Sequence, residues 1–257
     1  MLFLIASAKG AKTFLINARI NDKSYTTYKK YSFFYKRLFK NVDKIFAQSI
    51  EDKKRLEELG AKNIEVIGNI KLAYLPKTTK DLVKPQGILI TAGSTHESEE
   101  SLILDAWNKE QGKLVLVPRH PERFDEVYAI IESRYKNSLT TYSKYSKTNN
   151  FESDIILVDV MGELVNIYAI SDVVILGGGF IKTAGSHNPI EPAYFGCKLI
   201  SGKTIFNQKS LFECVDNHYL INNDELKKYL DDIENLKSTS IGAKGDIAPI
   251  INELKKL

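Results

Sequence analysis

Short apolar runs alternate with amphipathic stretches along the first part of the chain. The runs at residues 13–18, 44–48 and 64–67 predict buried strands, and the stretches at 24–40 and 51–59 predict helices between them. Strands that alternate with helices indicate right-handed βαβ units around a parallel sheet. This part of the chain therefore predicts a small three-stranded α/β unit, which looks incomplete.

A second series of the same kind follows residues 72–86, which contain two prolines, show little periodicity and are predicted to be a linker. The runs that predict strands are 87–91, 113–117, 154–158, 172–176, 198–201 and 219–221. The stretches that predict helices are 97–109, 123–135, 162–170, 189–195, 224–236 and 247–257. The predicted organisation is a first Rossmann-like domain at 1–71, the linker at 72–86, a second Rossmann-like domain at 87–245 and a C-terminal helix at 246–257.

Composition and charge narrow the class of protein. The chain has 257 residues, of which 43% are hydrophobic and 26% charged, which excludes a disordered or collagen-like protein. Its net charge of +4 suits an anionic ligand or membrane surface but is too small to indicate nucleic acid. The two cysteines form no CxxC motif, so a zinc site is disfavoured. The apolar start lacks the basic segment of a signal peptide, and no apolar run reaches the roughly 18 residues of a membrane span.

Candidate chemistry lies in the turns that follow the predicted strands, where ligands bind in parallel sheets. In the turn at 92–97, Ser94 and Glu97 have the spacing of a helix capping box, and the Gly-Ser-Thr segment could equally form an anion cradle. In the turn at 118–123, Arg119 ends an apolar strand. It is either a planar phosphate donor or one half of a surface ion pair with Glu122.

Two further turns carry glycines. In the turn at 159–164, Gly162 would let a ligand approach backbone N–H groups, and Glu163 could simply favour the helix dipole. The last turn has three consecutive glycines at 177–179, followed by a helix start with Asn188 as N-cap and Pro189 as the first helical residue. Such glycines indicate unusual backbone dihedrals or a close ligand. Three of the four histidines, His96, His120 and His187, fall on these turns.

The turns contain no catalytic triad, HExxH or Walker motif, and their glycines do not form GxGxxG, which disfavours nicotinamide binding. They indicate a site for an anionic nucleotide, with a carboxylate to hold ribose hydroxyls. Six segments of the chain then carry a resemblance: NAR (17–19), GNIK (68–71), AGSTHE (92–97), VPRHPERF (117–124), MGEL (161–164) and HNPIEP (187–192). In order and spacing they resemble the bacterial 3-deoxy-D-manno-octulosonic acid (Kdo) transferase family.

The resemblance implies a GT-B fold of two Rossmann-like parallel-sheet domains, the first one truncated. It implies an inverting glycosyltransferase that moves Kdo from CMP-Kdo to a lipid A precursor in lipopolysaccharide core biosynthesis, without metal or cofactor. It places the protein on the cytoplasmic face of the inner membrane as a peripheral protein. The CMP contacts that it implies are Pro118, Arg119, Met161, Gly162, Glu163, Asn188, Pro189, Ile190 and Glu191. Arg119 would face the phosphate, and Glu191 the ribose.

The resemblance also implies a departure. Family members carry further residues before the segment that matches Met1, including most of the acceptor domain and the Glu that serves as catalytic base. We therefore expect no recognisable base in this chain, and its activity alone is in doubt. Two rival functions stay open: a GT-B enzyme that uses a UDP-sugar, such as a transferase or epimerase, and a remnant that binds nucleotide without turnover.

Basic and aromatic residues are interleaved at 23–41. The basic ones are Lys23, Lys29, Lys30, Lys36, Arg37 and Lys40. An amphipathic helix of this composition favours anionic lipid surfaces, and the alternative is a solvated face with the aromatic side chains packed inward. Nucleic-acid binding is the weaker interpretation, because no RNP-type motif is present.

Overall fold

The computed structural model describes residues 2–73, 75–136, 138–144, 153–242 and 245–256. Within them the helices are α1 (Leu2–Ala8), α2 (Asp22–Lys30), α3 (Ser32–Phe39), α4 (Ile50–Glu58), α5 (Glu99–Ala106), α6 (Phe124–Arg134), α7 (Leu164–Tyr168), α8 (Ile190–Tyr194), α9 (Lys209–Phe212), α10 (Leu226–Asp231) and α11 (Ala248–Leu254). The strands are β1 (Phe14–Ala18), β2 (Lys44–Ala47), β3 (Ile64–Val66), β4 (Leu89–Thr95), β5 (Lys113–Pro118), β6 (Leu139–Thr141), β7 (Ile155–Leu157), β8 (Val173–Leu176), β9 (Lys198–Gly202), β10 (Val215–Asp216), β11 (His218–Ile221) and β12 (Ser240–Ile241). The chain forms two compact units: unit 1 is Met1–Tyr74 with Ala243–Leu257, and unit 2 is Leu75–Gly242.

Unit 1 has a parallel sheet in the order β1-β2-β3. Helix α4 begins after Ser49, whose side chain accepts a hydrogen bond from the Asp52 amide, and it packs Leu56 into the core beside Ile45. The single helix predicted at 24–40 is wrong, because Tyr31 leaves helical geometry at ψ 28° and separates α2 from α3. The rings of Tyr28 and Tyr35 meet across this break, with their centroids 4.8 Å apart.

The C-terminal helix α11 is part of unit 1. Its Ile250 packs against Phe46 and Ile67, and Lys44 Nζ lies 3.2 Å from Glu253 Oε2. The segment predicted as a separate C-terminal helix therefore completes the first unit. Its apolar face explains this placement, because a helix stripe of this kind is stable only when another apolar surface covers it.

Unit 2 contains a parallel sheet of seven described strands in the order β11-β9-β8-β4-β5-β7-β6, and the short strands β10 and β12 pair antiparallel. Ile90, Leu116 and Ile175 on its central strands are fully buried. Strands that are covered on both faces read as continuous apolar runs, which is why the sequence predicted them. The strands β6, β10 and β12 were not predicted, because two or three residues carry no periodicity.

The segment predicted as a linker is largely bound to unit 2. The amides of Thr79 and Lys80 donate to Asn166 Oδ1 at 2.8 and 3.3 Å, and Lys84 Nζ donates to Asp172 Oδ1 at 2.6 Å. Residues 75–86 form no helix or strand, which fits their prolines and weak periodicity. Those sequence features could not show that a segment without secondary structure is held by polar contacts.

Sheet order defines where a ligand site is expected. The chain enters the large sheet at β4, builds one side through β5, β6 and β7, and then builds the other side through β8, β9 and β11. The order therefore reverses next to β4, and the crevice at such a switch point is where open α/β sheets bind ligands. The turns that follow β4, β5 and β8 border this crevice.

No helix in the described parts of the chain is both long and apolar enough to span a membrane.

Candidate active site

Two histidines meet at the switch point of unit 2. His96 directly follows β4, and His187 lies in the segment between β8 and α8. Their Nε2 atoms are 2.9 Å apart and their rings are stacked with centroids 5.1 Å apart. The ring of His120, which follows β5, lies edge-on to His96 at 5.7 Å. The structure thus brings together the three histidines that the sequence placed on separate turns.

Both histidines of the contact are held neutral by their surroundings. Burial lowers the pKa of His187 to about 4, with help from the nearby charges of His96, Arg119 and His120. Burial also lowers the pKa of His96, and His120 and Arg119 act in the same direction. Because the two Nε2 atoms share one hydrogen bond, one ring donates and the other accepts.

A buried carboxylate ties the turns of β4 and β8 to each other. Glu99 Oε2 accepts hydrogen bonds from the amides of His96 at 3.0 Å and Gly178 at 2.8 Å, and Oε1 accepts from the Phe180 amide at 3.2 Å. The Glu99 side chain is almost fully buried, and burial raises its pKa. Glu99 was not predicted, since two of its three partners, Gly178 and Phe180, lie far along the chain.

The capping box predicted for Ser94 and Glu97 is wrong. Ser94 belongs to β4, where it is buried with a φ of +57°, and α5 begins only at Glu99. Strand β4 is longer than predicted, because Gly93 pairs with Val117 on one side and Leu176 on the other. The residue that reaches back three positions to a free amide is therefore Glu99, not Glu97.

Close packing of the protein itself explains the three consecutive glycines. A Cβ atom at Gly177 would lie 2.3 Å from the Ser94 carbonyl oxygen, and one at Gly179 would lie 2.4 Å from Ser201 Oγ. Gly178 has a φ of +78° and would place a Cβ 2.3 Å from the Gly185 carbonyl oxygen. Only Gly178 has the unusual dihedral that the sequence analysis considered, and close packing accounts for Gly177 and Gly179 without a ligand.

Arg119 lies near the histidines, and its guanidinium has no partner among the described residues. It is exposed directly after β5, and its amide donates to the Thr95 carbonyl at 2.9 Å. Among the described residues its guanidinium has no hydrogen bond or ion pair. Its charge acts on His96 and His187 and lowers the pKa of Glu191 against the larger effect of burial. The alternative ion pair with Glu122 does not form.

Glu122 instead lies near His120, with 3.8 Å between Glu122 Oε1 and His120 Nδ1. Pro118, the residue before Arg119, is buried at the end of β5. The strand end is therefore fixed, while the two basic side chains that follow it face outward.

The turn before α8 orients a half-buried carboxylate. Asn188 Oδ1 accepts from the Ile190 amide at 3.0 Å, and Asn188 Nδ2 donates to Glu191 Oε1 at 3.1 Å. The predicted helix start is one residue early, because Pro189 is the capping residue and α8 runs over five residues from Ile190. Burial raises the pKa of Glu191 above its ordinary value despite the Asn188 hydrogen bond.

The turn at 161–163 has an exposed tip and a buried residue, Glu163, that is held by hydrogen bonds. Met161 is 59% exposed, and a Cβ at Gly162 would meet nothing within 4 Å. Glu163 is buried and accepts hydrogen bonds from Tyr142 Oη at 3.1 Å, Asn166 Nδ2 at 2.8 Å and Lys80 Nζ. Burial acts to raise the pKa of Glu163, but these partners outweigh it and lower the pKa.

The role suggested for Glu163 as a helix-dipole residue is thus too simple, since its carboxylate joins the turn to two distant segments, at Lys80 and Tyr142, and to Asn166 of the following helix. Its hydrogen-bond partners do not include Arg119 or Glu191. The structure therefore groups Arg119, Asn188 and Glu191 with the histidines, and it does not join the turn at 161–163 to them by direct contact.

A second buried acid supports the site and was not predicted. Glu100 is fully buried, and its two oxygens accept from Arg123 Nη1 at 2.7 Å and Arg123 Nη2 at 3.2 Å. Thr95 Oγ1 also donates to Glu100 Oε1 at 2.8 Å. Two adjacent glutamates at the start of a helix with several buried apolar residues were the available signal. Across the described ranges, no three His, Cys, Asp or Glu side chains are grouped as metal ligands.

Comparison with known proteins identifies relatives of both units. The family model of 3-deoxy-D-manno-octulosonic-acid transferase (kdotransferase) matches residues 1–74. A 3-deoxy-D-manno-octulosonic acid transferase of Rickettsia felis is 34% identical over 208 residues, which are 76% of this chain and 44% of that protein. The chain is a homologue of the Kdo transferases. The resemblance stated from six segments of sequence is confirmed.

Structure supports the same relationship for unit 2. The crystal structure of the C-terminal CMP-Kdo binding domain of WaaA from Acinetobacter baumannii is 28% identical, with a TM-score of 0.50 over 56% of this chain and 77% of that one. The predicted α/β class, with Rossmann-like parallel-sheet units of the GT-B kind, is confirmed.

The relatives are longer than this chain. A bifunctional glycosyltransferase/methyltransferase of Fusobacterium nucleatum is 32% identical over 90% of this chain and 38% of its own length. For the Kdo transferase of Chlamydia muridarum, which is 29% identical, the shares are 91% and 57%. The chain thus spans about half the length of the curated relatives that it matches.

Proposed function

We propose that unit 2 binds a CMP-sugar at the switch point and that the protein acts in a glycosyltransferase that moves Kdo from CMP-Kdo to a lipid A precursor. The observation that carries this proposal is the position of Arg119. Its guanidinium has no partner among the described residues and faces a histidine cluster and the carboxylate of Glu191. A planar cation and a hydrogen-bond acceptor at a switch point suit a nucleoside monophosphate.

Each site residue has a distinct part in this proposal. Arg119 donates to the phosphate of CMP, and Glu191, held by Asn188, accepts from the ribose hydroxyls. Pro118, Pro189 and Ile190 are buried and fix the ends of the two turns. The exposed tip at Met161 and Gly162 offers backbone groups to the cytosine base. Glu163 positions this tip through its own buried partners.

The transfer itself is a displacement at the anomeric carbon of Kdo. The acceptor hydroxyl forms the new C–O bond, the bond from that carbon to the phosphate oxygen of CMP breaks, and the hydroxyl proton passes to a base. Inversion follows from attack opposite the leaving group. Cationic side chains stabilise the charge that develops on CMP, so the proposal requires no metal or cofactor. We assign no residue of this chain as the base.

An anionic membrane surface is the partner we propose for unit 1. The aromatic residues Tyr28, Tyr35 and Phe39 pack inward, as the simpler alternative predicted. Phe33 and Phe34, however, are 74% and 50% exposed, and they lie among the exposed basic residues Lys30, Lys36 and Arg37. Exposed aromatic rings beside cations suit a headgroup region and would bring the enzyme to a lipid acceptor.

Calorimetric titration of the full chain with CMP, UMP and UDP tests the donor assignment. We expect saturable binding of CMP and much weaker binding of the uridine nucleotides. A preference for UDP would instead assign the protein to UDP-sugar enzymes. A folded chain that binds CMP but shows no transfer from CMP-Kdo to a lipid A precursor would support a nucleotide-binding remnant.

A further inference from the structure

The contact between His96 and His187 has no role in the proposed contacts to CMP. It joins the turn after β4 to the segment after β8 across 91 residues, at the crevice that Arg119 faces. The hydrogen bond between the two Nε2 atoms exists only while at least one of the rings lacks a proton at Nε2. The pair can therefore accept one proton and keep a shared hydrogen bond, but two protons would place two cations in contact.

We propose that His96 and His187 are phosphate-binding residues, which take up a proton as a pair when the phosphate of the nucleotide binds beside Arg119. This inference rests on the proposed function and adds to it a coupling between donor binding and protonation.

Burial, and then the charges around the pair, explain why a proton is absent until an anion arrives. The charged guanidinium of Arg119 acts on both rings, and that of Arg123 acts on His96. Together with burial they hold the pKa of His187 at about 4 and keep that of His96 below its ordinary value. At neutral pH both rings are neutral.

The nearby carboxylates do not offset burial and the two guanidinium groups, and each of them is held by other partners. Glu99 accepts from three backbone amides, and Glu100 is paired with Arg123 and Thr95. Glu191 is held by Asn188. Glu100 does act to raise the pKa of His96, but burial and the cations outweigh it.

A bound phosphate changes this balance. Its negative charge offsets the repulsion from Arg119 and favours the charged form of a neighbouring imidazole. A pKa that rises by one unit on binding corresponds to about tenfold tighter binding of phosphate to the protonated pair. The alternative is a neutral pair that only connects two turns, and its pKa values would not respond to ligand.

The experiment is a pH titration of the histidine ring carbons and nitrogens of the full chain by NMR. The chain has four histidines, so each one is assigned by a single substitution. The fourth, His218, has Nδ1 2.7 Å from the Val215 carbonyl oxygen and serves as the internal control. The titration is made with the free chain, with saturating CMP and with saturating cytidine, which lacks the phosphate.

We expect His187 to titrate near pH 4 in the free chain. With CMP, the pKa of His187, of His96 or of both should rise by at least about one unit, while His218 stays constant. Cytidine should leave all four unchanged. Bound CMP with unchanged pKa values for both His96 and His187 would overturn the inference and leave the proposed function intact. A folded chain that binds neither CMP nor cytidine would overturn the proposed function together with it.

A matched pair of variants gives a second readout. His187→Gln keeps a side-chain amide that can hydrogen-bond to His96 but cannot carry a charge, and His218→Gln is its control. Calorimetry of CMP binding at about pH 5, between the free pKa of His187 and its expected bound pKa, measures proton uptake when it is made in two buffers of different ionisation enthalpy. We expect His218→Gln to take up as many protons as the parent chain and His187→Gln to take up fewer. Equal uptake by all three proteins contradicts the inference.

Discussion

Glu99 and Gly178 are 79 residues apart in sequence, yet the carboxylate of Glu99 accepts a 2.8 Å hydrogen bond from the Gly178 amide. The same side chain binds the amides of His96 and Phe180. One buried acid thus sets the relative positions of the two turns that carry the histidine contact. The geometry of the candidate nucleotide site depends on a residue that touches no ligand in our proposal.

Substitution of Glu99 should destabilise unit 2. Glu99→Ala leaves the buried amides of Gly178 and Phe180 and the partly buried amide of His96 without acceptors, and each unsatisfied buried group costs about 1–3 kcal/mol. We expect the free energy of unfolding to fall by roughly 3 kcal/mol or more. The unfolding free energy of Glu99→Gln should lie between those of the parent chain and of Glu99→Ala. Urea unfolding followed by the fluorescence of the single tryptophan, Trp107, reports on this unit. Glu97→Gln is the matched control, since Glu97 is exposed, and it should be neutral.

Substitution of Gly177 tests whether close packing explains the three consecutive glycines. In Gly177→Ala the new Cβ would meet backbone atoms at 2.3 Å, and such overpacking costs about 1–3 kcal/mol or more. Gly162→Ala is the comparison, because that residue has a φ of +86° but open space around it. Its cost should be that of the left-handed conformation alone, about 1 kcal/mol. Equal unfolding midpoints for the two variants would contradict the packing explanation.

Loss of the Arg119 guanidinium should weaken CMP binding without affecting stability. A hydrogen bond to a charged group contributes about 1.5–3 kcal/mol, so Arg119→Ala should raise the Kd for CMP about 10- to 100-fold. Arg119→Lys should recover part of this loss, because it keeps the charge but not the planar donor pair. Arg134→Ala removes a partly exposed cation that pairs with Asp105 and should bind CMP normally. An unchanged Kd for Arg119→Ala would remove the phosphate role.

His187 should make the protein less stable in mild acid. Its pKa is about 4 in the folded chain against 6.5 as the ordinary value, so between these pH values the unfolded chain binds the proton and the folded chain does not. Stability must therefore fall as the pH is lowered from about 6.5 towards 4. His187→Gln lacks this contribution, and its unfolding free energy should depend less on pH in that window. Identical slopes for variant and parent chain would show that His187 already titrates normally.

The exposed aromatic residues of unit 1 should control attachment to lipid. We expect the full chain to float with liposomes that contain anionic lipid, and the double variant Phe33→Ser, Phe34→Ser to float less. The control is Phe206→Ser, which removes a 68% exposed aromatic from unit 2. Equal flotation with neutral and anionic liposomes would argue against a basic membrane-binding surface.

The strands of the large sheet could be predicted because burial on both faces makes them continuous apolar runs. The end of β4 could not, since its Gly-Ser-Thr segment has the composition of a turn and becomes a strand only by pairing with β5 and β8. Likewise, Glu163 follows a strand as a helix-start residue would, but its partners Lys80 and Tyr142 come from distant segments. Local patterns predicted the helices and strands. Long-range contacts determine where those elements end and which partners the residues at their ends bind.

The residues of the candidate site could be picked out from the sequence, but the sequence could not show which of them lie close together. Arg119, Glu191 and the three histidines all stood out on turns. That His96 would contact His187 depends on the strand order, which places β8 beside β4. The polar contacts of residues 75–86 were missed for the same reason, because Asn166 and Asp172 lie far ahead in the chain.

The return of α11 to unit 1 has a consequence for synthesis on the ribosome. Domains generally fold as they emerge, starting from the N-terminus. Here α11, which follows unit 2 in the sequence, supplies Ile250, and Ile250 packs against Phe46 and Ile67 of unit 1. All of unit 2 is therefore translated before unit 1 can close its core.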